Sequence, residues 1–233
     1  MSYCEPIIVL GLLILPFLYD LSEKCRYYFR FALFYTILMV NSIILIPWLL
    51  YKPFERSNIQ IISLWCRHIS WLLGLRWNIH GTHKLDNKKS FIMVANHQSS
   101  LDLLGMFEII HYLQFPMTIM TRLRVILISP LGLAMWLSGV VLLKPQQTMS
   151  DLKANIYRRG SINNNIKTGI GDKIQKFDKH AFSFAIEDDL PIVPVVFGSY
   201  KKIFDDDQKY FNTGYVNITI LPEIRTETYT EKM

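Results

Sequence analysis

The chain has 233 residues, room for one domain with attachments and too few for two full enzymatic domains. Apolar residues make up 51% and charged residues 19%, against about 25% charge in an ordinary soluble domain; the net charge is +6 and the mean hydropathy +0.21. This balance excludes a disordered chain, a collagen-like fibre and a disulfide scaffold, and points to a globular protein attached to a membrane.

Three cysteines, Cys4, Cys25 and Cys66, show no Cys-x-x-Cys spacing and suit a reducing compartment. The basic residues are scattered rather than striped, so an anionic membrane surface is the expected partner and nucleic acid is not. Pro6–Tyr19 is an uncharged run of 14 residues, about 21 Å as a helix and short of a ~30 Å hydrocarbon core. No basic residue precedes it and no small-residue cleavage site follows, so it does not read as a signal peptide. Phe31–Tyr51 is stronger: 21 uncharged residues between Arg30 and Lys52, with Trp48 and Tyr51 at the far end. It predicts a transmembrane helix. Residues 1–56 are therefore expected to form a membrane anchor with helices near 6–19 and 31–51. The basic residues flanking the second run are balanced, which leaves its orientation open.

Residues 57–76 place Ile61, Leu64, Trp65, His68 and Leu72 on one helical face. They predict an amphipathic helix that lies in the membrane interface or packs on the domain. Residues 77–233 are expected to be an α/β domain. Gly81–Leu85 is a turn before a short strand, Phe91–Ala95, which ends at Asn96-His97-Gln98-Ser99-Ser100-Leu101-Asp102. A helix capped by Ser99 or Ser100 follows. Val125–Leu143 is long enough to span a membrane, but Pro130, Gly132 and Gly139 favour a core helix followed by a strand at Gly139–Leu143. The polar stretch 151–176 reads as a loop. A helix over Ala181–Ile186 and strands over Leu190–Val196 and Tyr215–Leu221 complete the chain.

The chemistry lies where the first strand turns into its helix, the end at which open α/β sheets place their sites. An imidazole titrates near neutrality and can accept a proton there. A carboxylate five residues on, across a strand-to-helix turn, can reach the other ring nitrogen of His97 and hold the imidazolium once formed. If the nucleophile is a hydroxyl on the substrate, His97 and Asp102 are sufficient for acyl transfer. By itself the pair is equally compatible with a structural hydrogen bond. His80 and His83, spaced as His-x-x-His, have no carboxylate or cysteine close in sequence, so they are read as surface turn residues and no metal is expected.

The run FIMVANHQSSLDLLGM resembles, nearly residue for residue, the first signature block of the glycerolipid acyltransferases, most closely the 1-acylglycerol-3-phosphate acyltransferases. Gly81–Leu85, Ser129–Val141 and Leu190–Val196 resemble further blocks; Phe177, Ala181 and Phe182 resemble a Phe-x-x-Gly-Ala-Phe stretch with His180 in place of Gly. The resemblance implies a mixed sheet flanked by helices, with membrane helices at the N-terminus. It implies an enzyme of the endoplasmic reticulum membrane that moves a fatty acyl group from acyl-CoA to the sn-2 hydroxyl of lysophosphatidate, giving phosphatidate. In that family His97 is the general base and Asp102 its orienter, with acyl-CoA as co-substrate and no cofactor. Asn96, Gln98, Ser99, Arg122 and Lys144 are the candidates for holding substrate. The sequence departs from the family twice. Lys144-Pro145 stands where an Asp-Arg ending is expected, and no Phe-Pro-Glu-Gly-Thr-Arg precedes Phe177. A second expectation therefore stands beside the first: an impaired member of the family that binds lipid or a protein partner.

Overall fold

The computed structural model describes residues 19, 22–55, 57–85, 91–113, 118–122, 129–143, 164–167 and 179–227. The expected helix near 6–19 lies outside these residues except for Tyr19.

A long helix, α1 (Glu23–Tyr51), begins at the N-cap Ser22, whose hydroxyl accepts from Cys25 N. It is long and apolar enough to cross a membrane. Tyr27, Phe34, Leu38, Asn41, Ser42, Leu45 and Leu49 recur at three- and four-residue spacing and are buried. They face the rest of the chain, while Val40, Ile43, Ile44, Trp48 and Leu50 on the other side are exposed. The next helix, α2 (Asn58–Leu72), buries Ile59, Ile62, Cys66 and Ile69. Most of the face singled out from the sequence is open: Leu64, Trp65, His68 and Leu72 are exposed, although Ile61 packs on the core and Trp65 and His68 reach Asn41 of α1. The helix is apolar on two sides, so periodicity alone could not say which side the domain would take.

The domain proper opens with β1 (Leu75–His80), a strand absent from the sequence reading. A 3-10 turn over Thr82–Lys84 follows Gly81, whose φ of +83° and 2.2 Å clearance between an added Cβ and the Ile220 carbonyl oxygen admit only glycine. Then come β2 (Ile92–Ala95), α3 (Asp102–Leu113), β3 (Thr118–Arg122), α4 (Pro130–Leu137) and β4 (Val141–Leu143). The third long apolar run is thus a helix and a strand of the core, as its proline and glycines predict. A short strand, β5 (Asn164–Lys167), precedes α5 (Lys179–Glu187) and β6 (Ile192–Phe197). The hairpin β7 (Phe204–Asp205) and β8 (Tyr210–Phe211) and the strand β9 (Gly214–Ile220) close the chain.

Among the described residues, seven strands form one mixed sheet in the order β1-β9-β6-β2-β5-β3-β4. The five from β6 to β4 are parallel, whereas β9 pairs antiparallel with β6 and parallel with β1. At Asn164–Lys167 this corrects the reading of 151–176 as a loop; the rest of that stretch lies outside the described residues. Asn164–Lys167 occupies a central slot between β2 and β3, with Ala95 beside Lys167. Its Asn-rich sequence lacks the apolar signature of a buried strand, and its hydrogen-bonding partners come from strands distant in sequence. Residues of β2 alternate between two cores. Met93 and Ala95 join the large cluster with α1 to α4, and Ile92 and Val94 join a smaller one with Phe184 and Ala185 of α5. Helices therefore cover both faces of the sheet.

Candidate active site

The parallel strands set the site. All five end at the same edge, and the chain leaving β2 turns there through Asn96, His97, Gln98 and Ser99 before α3 begins at Asp102. Ser99 fixes that turn: its hydroxyl accepts from Leu101 N, and its carbonyl accepts from Asp102 N. Asp102 is wholly buried, and its Oδ2 lies 2.5 Å from His97 Nδ1. The same oxygen accepts from the backbone N–H of Gln98 (2.8 Å) and Ser99 (3.2 Å). Opposite it, Oδ1 accepts from the Tyr200 hydroxyl at 2.6 Å. A buried carboxylate is costly unless surrounded by donors, and these four surround it. The pair expected from sequence is thus in contact, with the carboxylate enclosed. The His97 side chain is 28% exposed, and Nε2 is the nitrogen that Asp102 does not take.

The neighbouring polar residues hold the turn. Asn96 makes a two-way clamp on β6: its Nδ2 donates to the Phe197 carbonyl (3.0 Å) and its Oδ1 accepts from Phe197 N (2.7 Å). Gln98 Nε2 donates to the carbonyls of Phe197 (2.6 Å) and Gly198 (3.2 Å). Tyr35 of α1 reaches the same turn, donating to Ser100 Oγ at 3.0 Å. Arg122 is the last residue of β3 and pairs with Leu143, the last of β4, so both strands end at the edge that carries His97. Counted through β5, Arg122 stands two strands from the β2 end, about 10 Å. Lys144 lies outside the described residues. His80 and His83 are exposed.

Beneath the turn, residues of α1, α2, α3, α4 and β3 line a small apolar cavity that is partly open. Leu103, the neighbour of Asp102, lines it together with Leu38, Cys66, Phe107, Ile119 and Met135. Sequence reasoning found neither this cavity nor Tyr200, because both depend on elements far apart in the chain.

Residues 76–198, more than half of the chain, match the family described as Acyltransferase. The chain belongs to that family. Similar curated proteins include two from Homo sapiens. One, 1-acyl-sn-glycerol-3-phosphate acyltransferase alpha, is 27% identical over 93% of this chain and 79% of the relative. The other, the beta enzyme, is 29% identical over 97% of this chain and 84% of the relative. Among solved structures, the 1-acyl-sn-glycerophosphate acyltransferase PlsC from Thermotoga maritima shares the fold, with a TM-score of 0.70 over 91% of this chain and 90% of that one, at 18% identity. The matched segment contains β2, the His97 turn, Asp102 and β6, so the family's α/β core and the site edge coincide in this chain.

Proposed function

We propose that this acyltransferase moves a fatty acyl group from acyl-CoA to the sn-2 hydroxyl of 1-acylglycerol-3-phosphate, giving phosphatidate. The observation that carries the reading is the contact between Nδ1 of the partly exposed His97 imidazole and the enclosed Asp102 carboxylate. The names of the human relatives supply the substrate class. In the reaction, Nε2 takes the hydroxyl proton as the oxygen attacks the thioester carbonyl carbon. Asp102 stabilises the imidazolium that forms. The C–S bond then breaks, the CoA thiolate departs, and the imidazolium returns the proton to it. Asn96, Gln98 and Ser99 keep the turn in place through the contacts described above. Arg122 and Lys144 are proposed for the phosphate, since a dianionic headgroup needs cations at this edge.

The bilayer is the natural reservoir for both lipids, and the exposed apolar sides of α1 and α2 suit contact with it. We place the enzyme at the endoplasmic reticulum membrane on the same family reading. The test is release of free CoA by the purified full chain in phospholipid vesicles, with oleoyl-CoA and a panel of lysophospholipids. Turnover should require an acceptor, be fastest with 1-acylglycerol-3-phosphate, and fall at least about 10³-fold in His97→Ala. A protein inert toward every acceptor, yet still binding lipid, would leave the impaired relative as the better description.

A further inference from the structure

Tyr200 lies two residues beyond the segment that matches the family, in the chain leaving β6. Its side chain is 3% exposed, and its ring meets Trp77 of β1 edge-on at 6.5 Å. Its backbone carbonyl accepts from Ile203 N (2.7 Å) and Phe204 N (2.8 Å), so the residue is fixed at both ends. The residues just before it, Phe197 and Gly198, are those that Asn96 and Gln98 grip. One rigid unit therefore joins the His97 turn, the end of β6 and Tyr200.

We propose that Tyr200 is a positioning residue for the His97–Asp102 pair: its hydroxyl donates to Asp102 Oδ1 and so presents Oδ2 to His97 Nδ1. The inference rests on His97 being the base. A carboxylate held on one oxygen only can swing about its Cβ–Cγ bond. Here Oδ2 faces three donors and Oδ1 faces the phenol, so the plane of the group is set from both sides. Burial and the adjacent Asp102 charge push the Tyr200 phenol well above its ordinary range, so it stays a donor throughout the working pH range. Its donation also draws negative charge from the carboxylate and moderates the hold of Asp102 on the imidazolium.

The ionisable groups packed around this cluster, among the described residues, are His97 in the turn, Asp102 of α3, Tyr200 itself, and Tyr35 of α1 acting through Ser100. Glu108 of α3 is engaged by Arg67 of α2 in a two-bond pair. Tyr200→Phe removes the hydroxyl and keeps the ring. In the full chain in nanodiscs, the His97 ring can be titrated by NMR, its signal assigned by its loss in His97→Ala. We expect the His97 midpoint to rise by about half a unit in Tyr200→Phe, because the carboxylate is then a stronger partner for the imidazolium. We also expect kcat to fall about 10-fold, with KM for both lipid substrates within about twofold. A midpoint that stays put overturns the proposal, whatever happens to thermal stability. The titration needs no turnover. A wild-type chain without activity but with the midpoint shift would defeat the reaction proposed above and leave the role of Tyr200 standing. An active enzyme whose variant shows no shift would do the reverse.

Discussion

At the residue scale, the site is a buried anion supporting a partly exposed base. Asp102→Asn preserves the shape of the side chain and removes its charge. The amide can still receive the N–H of Gln98 and Ser99, but it cannot stabilise an imidazolium. With His97 as base, kcat should drop by about three orders of magnitude, with little change in KM, as steady-state CoA release would measure. Cys66 offers a prediction independent of catalysis. It is buried against the cavity, and burial pushes its thiol up to about 12, partly opposed by a contact from Asn41 Nδ2. A thiol in the unfolded chain ionises near its ordinary value of 9.0. Below that pH both states hold the proton and the thiol has no effect on the pH dependence of stability. Above it the unfolded chain ionises first, and stability declines until the pH reaches the folded value. Wild type should lose about 1 kcal/mol between pH 8 and pH 10 that Cys66→Ala does not lose, read as the difference in denaturant midpoints. A pulse of N-ethylmaleimide at pH 7.5 should leave Cys66 unmodified until the chain is unfolded, as mass spectrometry would report.

At the scale of elements, α3 owes its position to a close approach. A Cβ on Gly105 would lie 2.6 Å from Phe197 Cε1 and 2.9 Å from Trp77 Cζ3, both ring atoms of buried or half-buried side chains in the sheet. The helix that begins with Asp102 can therefore sit directly on β1 and β6 only because position 105 has no side chain. Gly105→Ala should destabilise the fold by about 1–3 kcal/mol, since both rings would have to shift to admit the methyl group. The lowered Tm should be accompanied by reduced kcat, because Asp102 and His97 move with the helix. The strands themselves were unequally legible. Ile92–Ala95 and Ile192–Phe197 are apolar and short; the first is buried on both faces, as that composition implies, while the second leaves Val196 exposed. Leu75–His80 alternates apolar and polar residues strictly, a strand signal hidden by the helical reading that ran on to residue 76, whereas Asn164–Lys167 does not resemble a strand. The second becomes a strand because β2 and β3 stand ready to pair with it; the first pairs with Gly214–Thr219 and has the pattern as well. Local propensity is a weak guide when the partner supplies the hydrogen bonds.

For the molecule as a whole, α1 has two roles at once. Its inner face is docked: Tyr27 donates to Asp206 at 2.5 Å, Arg30 donates to the Leu73 carbonyl at 3.0 Å, and Asn41 Oδ1 accepts from Trp65 Nε1 at 3.3 Å. Its outer face, with that of α2, leaves a set of large apolar side chains uncovered, including Trp71 at 67% exposure. Soluble monomers rarely leave such surfaces open. In vesicles containing lipids brominated on their acyl chains, Trp71 fluorescence should be quenched. Trp77, whose Nε1 donates to Ser70 Oγ at 2.9 Å beneath α2, should be spared. Variants retaining one tryptophan at a time would separate the two, and equal quenching of both would argue against a lipid-facing outer surface.

What the amino-acid sequence determined by itself was local. Asp102 stands five positions after His97, a spacing that lets a strand-to-helix turn bring the two side chains within reach of one another. The long uncharged run of α1 and the proline and glycines within the third run likewise carried their own meaning. Only the tertiary structure could decide which face of α2 is buried, that a polar segment fills the centre of the sheet, and that Tyr200, 98 residues from Asp102, completes the carboxylate's shell. Those features depend on backbones and side chains meeting across long loops, and no periodicity or spacing along the chain encodes such a meeting.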